Sequence, residues 1–207
     1  MVQKHSGFES QGIITGNRWQ IIDFGYFAEV VVGTGSTFDG LLRMRTYTGA
    51  TAASTAALYQ QFYYKGAYTF PFGKAFEIEF VFAHLEVSGA NGKTYIKIDD
   101  DDAPTDPDSA AFGFRVDQNA LKGIVHNGAA LTVVDLSTTL IIQAYRLKIK
   151  FIPGDKIYWY VDGVEKGSSA NIPSGNRSVD IILAVMNGAD AADQRAAIGK
   201  IDFWQKW

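Results

Sequence analysis

The sequence predicts an all-β fold, an antiparallel sandwich of two sheets. Apolar and polar residues alternate with period two in several stretches, turn residues separate those stretches at regular spacing, and no amphipathic helix appears. At 207 residues the chain can bury a substantial core, and it reads as a single domain over 1–207, without linker or internal repeat.

In chain order, strand candidates begin at 19–22, 27–32 and 41–47. Between the last two, GTGSTFDG (33–40) contains Gly-x-Gly but lacks a third glycine and a helix to receive a phosphate, so it reads as a loop. TGATAASTAA (48–57) is small and polar, a loop or a short helical turn, and a strand candidate follows at 58–64. FEIEFVF (76–82) sets Phe76, Ile78, Phe80 and Phe82 against Glu77 and Glu79, one buried and one solvated face. After a candidate at 95–98, DDDDAPTDPDS (99–109) is acidic and proline-broken, which predicts an exposed loop. FGFRVD (112–117) alternates again. Candidates follow at 123–126 and 130–135, joined by HNGA (126–129), which reads as a tight type I′ turn. The last candidates are 179–186 and 198–204, bridged by NGADAADQRAAIG (187–199), which has room for one helical turn.

YRLKIKF (145–151) and KIYWYVDGV (156–164) form the most legible hairpin. A two-residue turn at Gly154 and Asp155 would pair Phe151 with Tyr158 and Lys150 with Trp159. A three-residue loop from Pro153 to Asp155 instead pairs Phe151 with Ile157, Ile149 with Trp159 and Leu147 with Val161. A slip of one residue flips every side chain, so burial selects the second register. Lys150 then lies beside Tyr158, Lys148 beside Tyr160, and Arg146 beside Asp162. Asp162 and Gly163 supply the left-handed conformations of a type I′ turn.

Composition excludes several functions. A net charge of −3 and a pI near 5.6 argue against nucleic acid as a partner. No apolar run reaches the roughly 18 residues that insert in a membrane, and MVQKHSGFES lacks the apolar segment of a signal peptide. Without cysteine there is no disulfide, thiolate nucleophile or Cys-metal site. The histidines, His5, His84 and His126, form no ligand-spaced pair.

The chain resembles the concanavalin A-like lectin/glucanase superfamily in its laminin-G-like viral and bacterial versions. The resemblance rests on GFES with Trp19, TFDGLLRMRTYTG, FEIEFVF, FGFRVDQNALKGIVHNG, the hairpin with YVDGV, VDIILAVMNG and IGKIDFW. It implies a jelly-roll sandwich, a fold shared by lectins, glycanases, adhesion modules and virion proteins. Glucanases of the superfamily carry Glu-x-Asp-x-Glu on a strand facing the sugar. Here EIEFV offers Glu77, puts Glu79 where the aspartate belongs and Val81 where the last acid belongs. No catalytic residue is assigned, and Glu77 and Glu79 are expected to pair with outward lysine or arginine.

Related carbohydrate-binding jelly rolls hold a structural calcium between a Glu of the first strand and an Asp of the last. The resemblance assigns those places to Glu9 and Asp202. The acidic 99–109 loop offers hard oxygens too, but lacks EF-hand spacing. Tyr158 and Tyr160 are the candidates for stacking on a sugar ring; alternatively they cover the stems of Lys148 and Lys150. Tyr59, Phe62, Tyr63, Tyr64 and Tyr68, together with Trp204 and Trp207, are candidates for an interface with protein subunits. Trp204 and Trp207 have a second reading, as staples of the last strand to the body.

The expected function is a non-enzymatic structural or surface module of a larger assembly, a virion or phage capsid-decoration or tail protein made in the cytoplasm. The alternative is an extracellular carbohydrate-binding lectin module, with a glycoside hydrolase a distant third.

Overall fold

The computed structural model describes residues 2–6, 19–21, 35–39, 43–47, 55–64, 70–84, 92–100, 105–177, 179–186 and 195–206, as backbone before Phe70 and with most side chains after it. Seventeen strands are described: β1 (Val2–Ser6), β2 (Trp19–Ile21), β3 (Gly35–Asp39), β4 (Arg43–Tyr47), β5 (Thr55–Tyr64), β6 (Phe70–Pro71), β7 (Phe76–His84), β8 (Lys93–Asp99) and β9 (Ala111–Asp117). They continue with β10 (Ala120–His126), β11 (Leu131–Thr139), β12 (Gln143–Phe151), β13 (Ile157–Val161), β14 (Val164–Ser169), β15 (Asn176–Arg177), β16 (Asp180–Met186) and β17 (Arg195–Lys206). The first sheet runs β14-β13-β12-β7-β17-β4-β3, with β1 also on β17, and the second runs β11-β10-β9-β8-β16-β5-β2. A short β15-β6 pair stands apart from both. All these pairings are antiparallel, as the period-two pattern predicts.

The core lies between the sheets. Ile78, Phe80 and Phe82 of β7 and Leu147, Ile149 and Phe151 of β12 meet Ile96, Ile98, Phe112, Phe114, Ile181 and Leu183 of the second sheet. At one end Phe76 contacts four other phenylalanines, stacking on Phe151 at 4.9 Å and meeting Phe70 edge-on at 4.8 Å. Phe70 is therefore part of the core.

The two sheets differ on their far sides. In β7, β12 and β13 buried residues alternate with partly exposed ones. In the second sheet Tyr95, Ile124, Ile182 and Ala184 are buried on the face away from the core. Burial on both faces explains why DIILAVM of β16 reads as a continuous apolar run rather than an alternation. The outward face of the first sheet is thus the one that presents side chains to solvent around the hairpin.

The hairpin register is the predicted one, with Phe151 opposite Ile157, Ile149 opposite Trp159 and Leu147 opposite Val161. Asp162 and Gly163 have positive φ, as a type I′ turn requires. The HNGA turn is different. Asn127 and Ala130 close a four-residue loop in which the Asn127 side chain accepts from the Ala129 and Ala130 amides, and only Gly128 is left-handed.

Other expectations are corrected. Residues 35–39 of the supposed 33–40 loop form β3, and β5 already begins at Thr55, within the supposed 48–57 loop. The 187–199 bridge yields to β17 from Arg195, while 27–32 and 187–194 lie outside the described residues. In the acidic 99–109 segment Asp100, Thr105 and Asp108 are exposed as expected and 101–104 lie outside the described residues, but Asp99 and Asp106 are held by cations. Asp99 is fully buried and accepts from Lys97 at 2.7 Å, Lys97 also donates to the Thr105 carbonyl, and Arg115 holds Asp106 through both carboxylate oxygens. Charge compensation, absent from a linear reading, draws these two carboxylates onto the sheet.

Candidate functional site

Alternation on four neighbouring strands of the first sheet builds the outward face. β7 presents Glu77, Glu79 and Val81, β12 presents Arg146, Lys148 and Lys150, and β13 presents Tyr158 and Tyr160. From the other side β17 brings Asp202 opposite Glu79 and Trp204 opposite Glu77. Two rows cross the sheet: Asp202–Glu79–Lys148–Tyr160 and Trp204–Glu77–Lys150–Tyr158.

A β-bulge sets the placement of the β17 residues. Ile198 and Phe203 are both buried in the core, although five residues apart they should face opposite ways. The register shifts between Ile198 and Lys200, and the extra residue, Gly199, restores the phase. Without it Asp202 and Trp204 would point inward.

The ion pairs run diagonally between strands. Lys148 donates to Glu77 at 3.4 Å, and Arg146 approaches Glu79 at 4.0 Å. These are the cross-strand pairs expected for the two glutamates. The Lys148 ammonium also sits 4.7 Å from the centre of the Tyr160 ring. Tyr160 donates to Glu165 at 3.2 Å, and burial followed by the Glu165 charge raises its phenol above the usual range. Both effects keep it a hydrogen-bond donor.

Two hollows open on this face. One, of about 480 Å³, is lined by Glu77, Glu79, Val81, Arg146, Lys148, Asp202 and Trp204. The other, of about 490 Å³, is lined by Ala75, Phe76, Phe151, Ile152 and the Lys150 side chain. Glu77 and Trp204 border both, so the hollows adjoin across that pair. The first offers carboxylates that accept hydrogen bonds from hydroxyls. The second offers hydrocarbon. The half-buried Trp204 indole between them combines an apolar surface with a polar edge.

Tyr158 and Tyr160 do lie outward, each in a row with its lysine, but line neither hollow. The ring that does is Trp204. Asp202, assigned to calcium with Glu9, is buried opposite Glu79, while Glu9 lies outside the described residues. Among the described residues no three His, Asp or Glu side chains converge as metal ligands. Tyr59, Phe62, Tyr63 and Tyr64 are described as backbone of β5, flanked by β16 and β2, and Tyr68 and Trp207 lie outside the described residues. Gly199 inside an otherwise apolar strand was the one available signal for the bulge, and hence for Trp204.

No family model matches the chain, and no curated protein does. Solved structures match it along most of its length. It is similar to a botulinum neurotoxin type C chain, from a protein whose cell entry depends on interaction with two ganglioside molecules, with a TM-score of 0.59 and 7% identity over 86% of this chain and 42% of that one. It is similar to the Emp47p carbohydrate recognition domain, with a TM-score of 0.57 and 16% identity over 93% and 90% of the two chains. It is similar to the alginate lyase AlgAT5 of polysaccharide lyase family 7, with a TM-score of 0.56 and 13% identity over 88% and 85%. The fold is a concanavalin A-like jelly roll. The chain spans about two fifths of the neurotoxin chain, and at these identities the likeness speaks for architecture alone.

Proposed function

We propose that the protein is a non-enzymatic, lectin-like module that binds a saccharide on the outward face of its first sheet. We further infer that it is displayed on the surface of a larger assembly of the virus or phage-particle kind. The observation that carries the sugar-binding part is the groove in which Trp204 stands beside the carboxylates of Glu77, Glu79 and Asp202. A saccharide needs hydrogen-bond acceptors for its hydroxyls and a flat apolar surface for its C–H faces, and this groove supplies both. The similar Emp47p domain is named for carbohydrate recognition, which favours the same reading.

The non-enzymatic part is supported by Val81, which takes the place of the last acid, and by the pairing of both glutamates with cations. The assembly part is supported by apolar side chains left exposed away from the groove. Ile141 and Ile142, on the β11–β12 connection, are 60% and 59% exposed, and Val164 is exposed on the edge strand β14.

A glycan array read with the wild-type protein and with Trp204→Ala tests the saccharide part. Wild type is expected to retain a subset of glycans, and the variant to lose at least about tenfold in affinity, as a buried aromatic anchor does. Retention of no glycan, or unchanged binding by the variant, would overturn it.

A further inference from the structure

β12 presents three cations outward, Arg146, Lys148 and Lys150, and its neighbour β7 presents two acids, Glu77 and Glu79. In the register of the two strands Arg146 stands opposite Val81, Lys148 opposite Glu79 and Lys150 opposite Glu77. Val81 has no charge to offer, and Arg146 reaches one step along β7 to Glu79, at 4.0 Å. Lys148 then takes Glu77, at 3.4 Å, together with the Tyr160 ring. The ladder of pairs is displaced by one step, and Lys150 is the cation left over. Among the described residues no carboxylate pairs with it, and its neighbour on β13, Tyr158, donates to Asp155 instead.

Lys150 is half-buried and walls the apolar hollow together with Ala75, Phe76, Phe151 and Ile152. In the row Trp204–Glu77–Lys150 it stands two strand spacings from Trp204, roughly 9–10 Å. Glu77 borders the same hollow, but its charge is met by Lys148. Hydrocarbon on the remaining walls keeps water from screening a pair formed at Lys150, which strengthens a charge-assisted hydrogen bond there.

We propose that Lys150 is an anion subsite of the groove and that the ligand is an acidic saccharide, one bearing a carboxylate or sulfate substituent. This assignment rests on the saccharide-binding reading of the groove. A sugar ring against the Trp204 indole directs its acidic substituent along the row, where the Lys150 ammonium donates to it. The Lys148–Glu77 and Arg146–Glu79 pairs persist, so binding breaks no existing ion pair on these strands.

Calorimetric titration tests it with glucose oligomers of equal length in three series: unmodified, oxidised to the uronate at C6, and sulfated at O6. At least one acidic series is expected to bind about tenfold tighter than the neutral one, and the tighter of the two names the substituent. That margin is expected to shrink as salt is raised. In Lys150→Met, which keeps the stem and removes the charge, the ratio of acidic to neutral affinity is expected to fall to near one. Lys150→Arg, which keeps the charge, is expected to retain most of the margin, as a purely structural role for the side chain would not require. Thermal melts establish that both variants fold. Neutral binding by wild type as tight as both acidic series, or an undiminished margin in Lys150→Met, would overturn the assignment while leaving saccharide binding intact. Failure of all three series to bind would overturn both.

Discussion

The indole Nε1 of Trp159 donates a 2.9 Å hydrogen bond to the carbonyl of Gly113, tying β13 of the first sheet to β9 of the second through the core. The ring is fully buried. Trp159→Ala is expected to cost about 3–5 kcal/mol, as large core truncations do. Trp159→Phe keeps most of the volume but leaves the Gly113 carbonyl without this donor, a further penalty of about 1–3 kcal/mol where water cannot enter. Urea denaturation should rank the variants in that order of loss, and an Ala variant within about 1 kcal/mol of wild type would contradict the packing described.

Gly123 is beneath that ring for a reason of space. A Cβ there would come within 2.5 Å of Trp159 Cδ2. Gly123→Ala is expected to destabilise by about 1–3 kcal/mol through overpacking, and to recover in the double variant with Trp159→Phe, whose smaller ring vacates part of the volume. Additive losses in that cycle would show that the two sites do not share the strain.

The buried Lys97–Asp99 pair predicts a non-additive cycle of a different kind. Both side chains are fully enclosed, so Lys97→Met strands a carboxylate and Asp99→Leu strands an ammonium. Each single change is expected to cost about 3–5 kcal/mol, while the double change falls well short of their sum. Chemical denaturation of the four proteins would measure the coupling. A cost near zero for either single variant would mean that the pair is solvated in solution.

Hydrolysis gives a direct check on the non-enzymatic reading. The purified protein is expected to release no reducing ends from β-glucans or related polysaccharides. Asp202, opposite Glu79, is the acid from another strand that could complete a pair of carboxylates. Turnover that vanishes in both Glu77→Gln and Asp202→Asn would show that it does so.

Assembly is testable by light scattering and by cross-linking within the native particle. Species larger than a monomer are expected, with contacts mapping to 51–70 and the C-terminal residues. Ile141→Ser with Ile142→Ser is expected to shift the distribution toward monomer if the exposed pair contributes. A strict monomer with the 51–70 aromatics protected inside their own chain would refute this reading.

The hairpin was legible because its information is local. Seven alternating residues, a three-residue loop and one large ring choose between two registers, and burial of Trp159 decides. Glu77 and Glu79 were legible as outward for the same reason. The groove was not, because its other wall comes from β17, far along the chain, and in the wrong phase until Gly199 is recognised as a bulge. Counting alternately from Ile198 buries Trp204. The tethering of the acidic loop was hidden for a related reason, since Arg115 and Asp106 meet only after β9 has paired with β8.

β16 and β17 occupy interior positions, one in each sheet: β16 between β8 and β5, β17 between β7 and β4. Among the described strands, β1 to β5 join the rest of the two large sheets through these two alone, β1 and β4 on β17 and β5 on β16. Strands made early thus wait for partners made late. The separation in sequence gives the topology a high contact order, and closing such long loops before any pairing rewards it makes folding slow. During synthesis the early strands would expose unpaired edges until residues 180–206 emerge, a window in which a neighbouring chain could supply the missing strand instead. The groove shares this timing, because Asp202 and Trp204 arrive on the strand that closes the sheet.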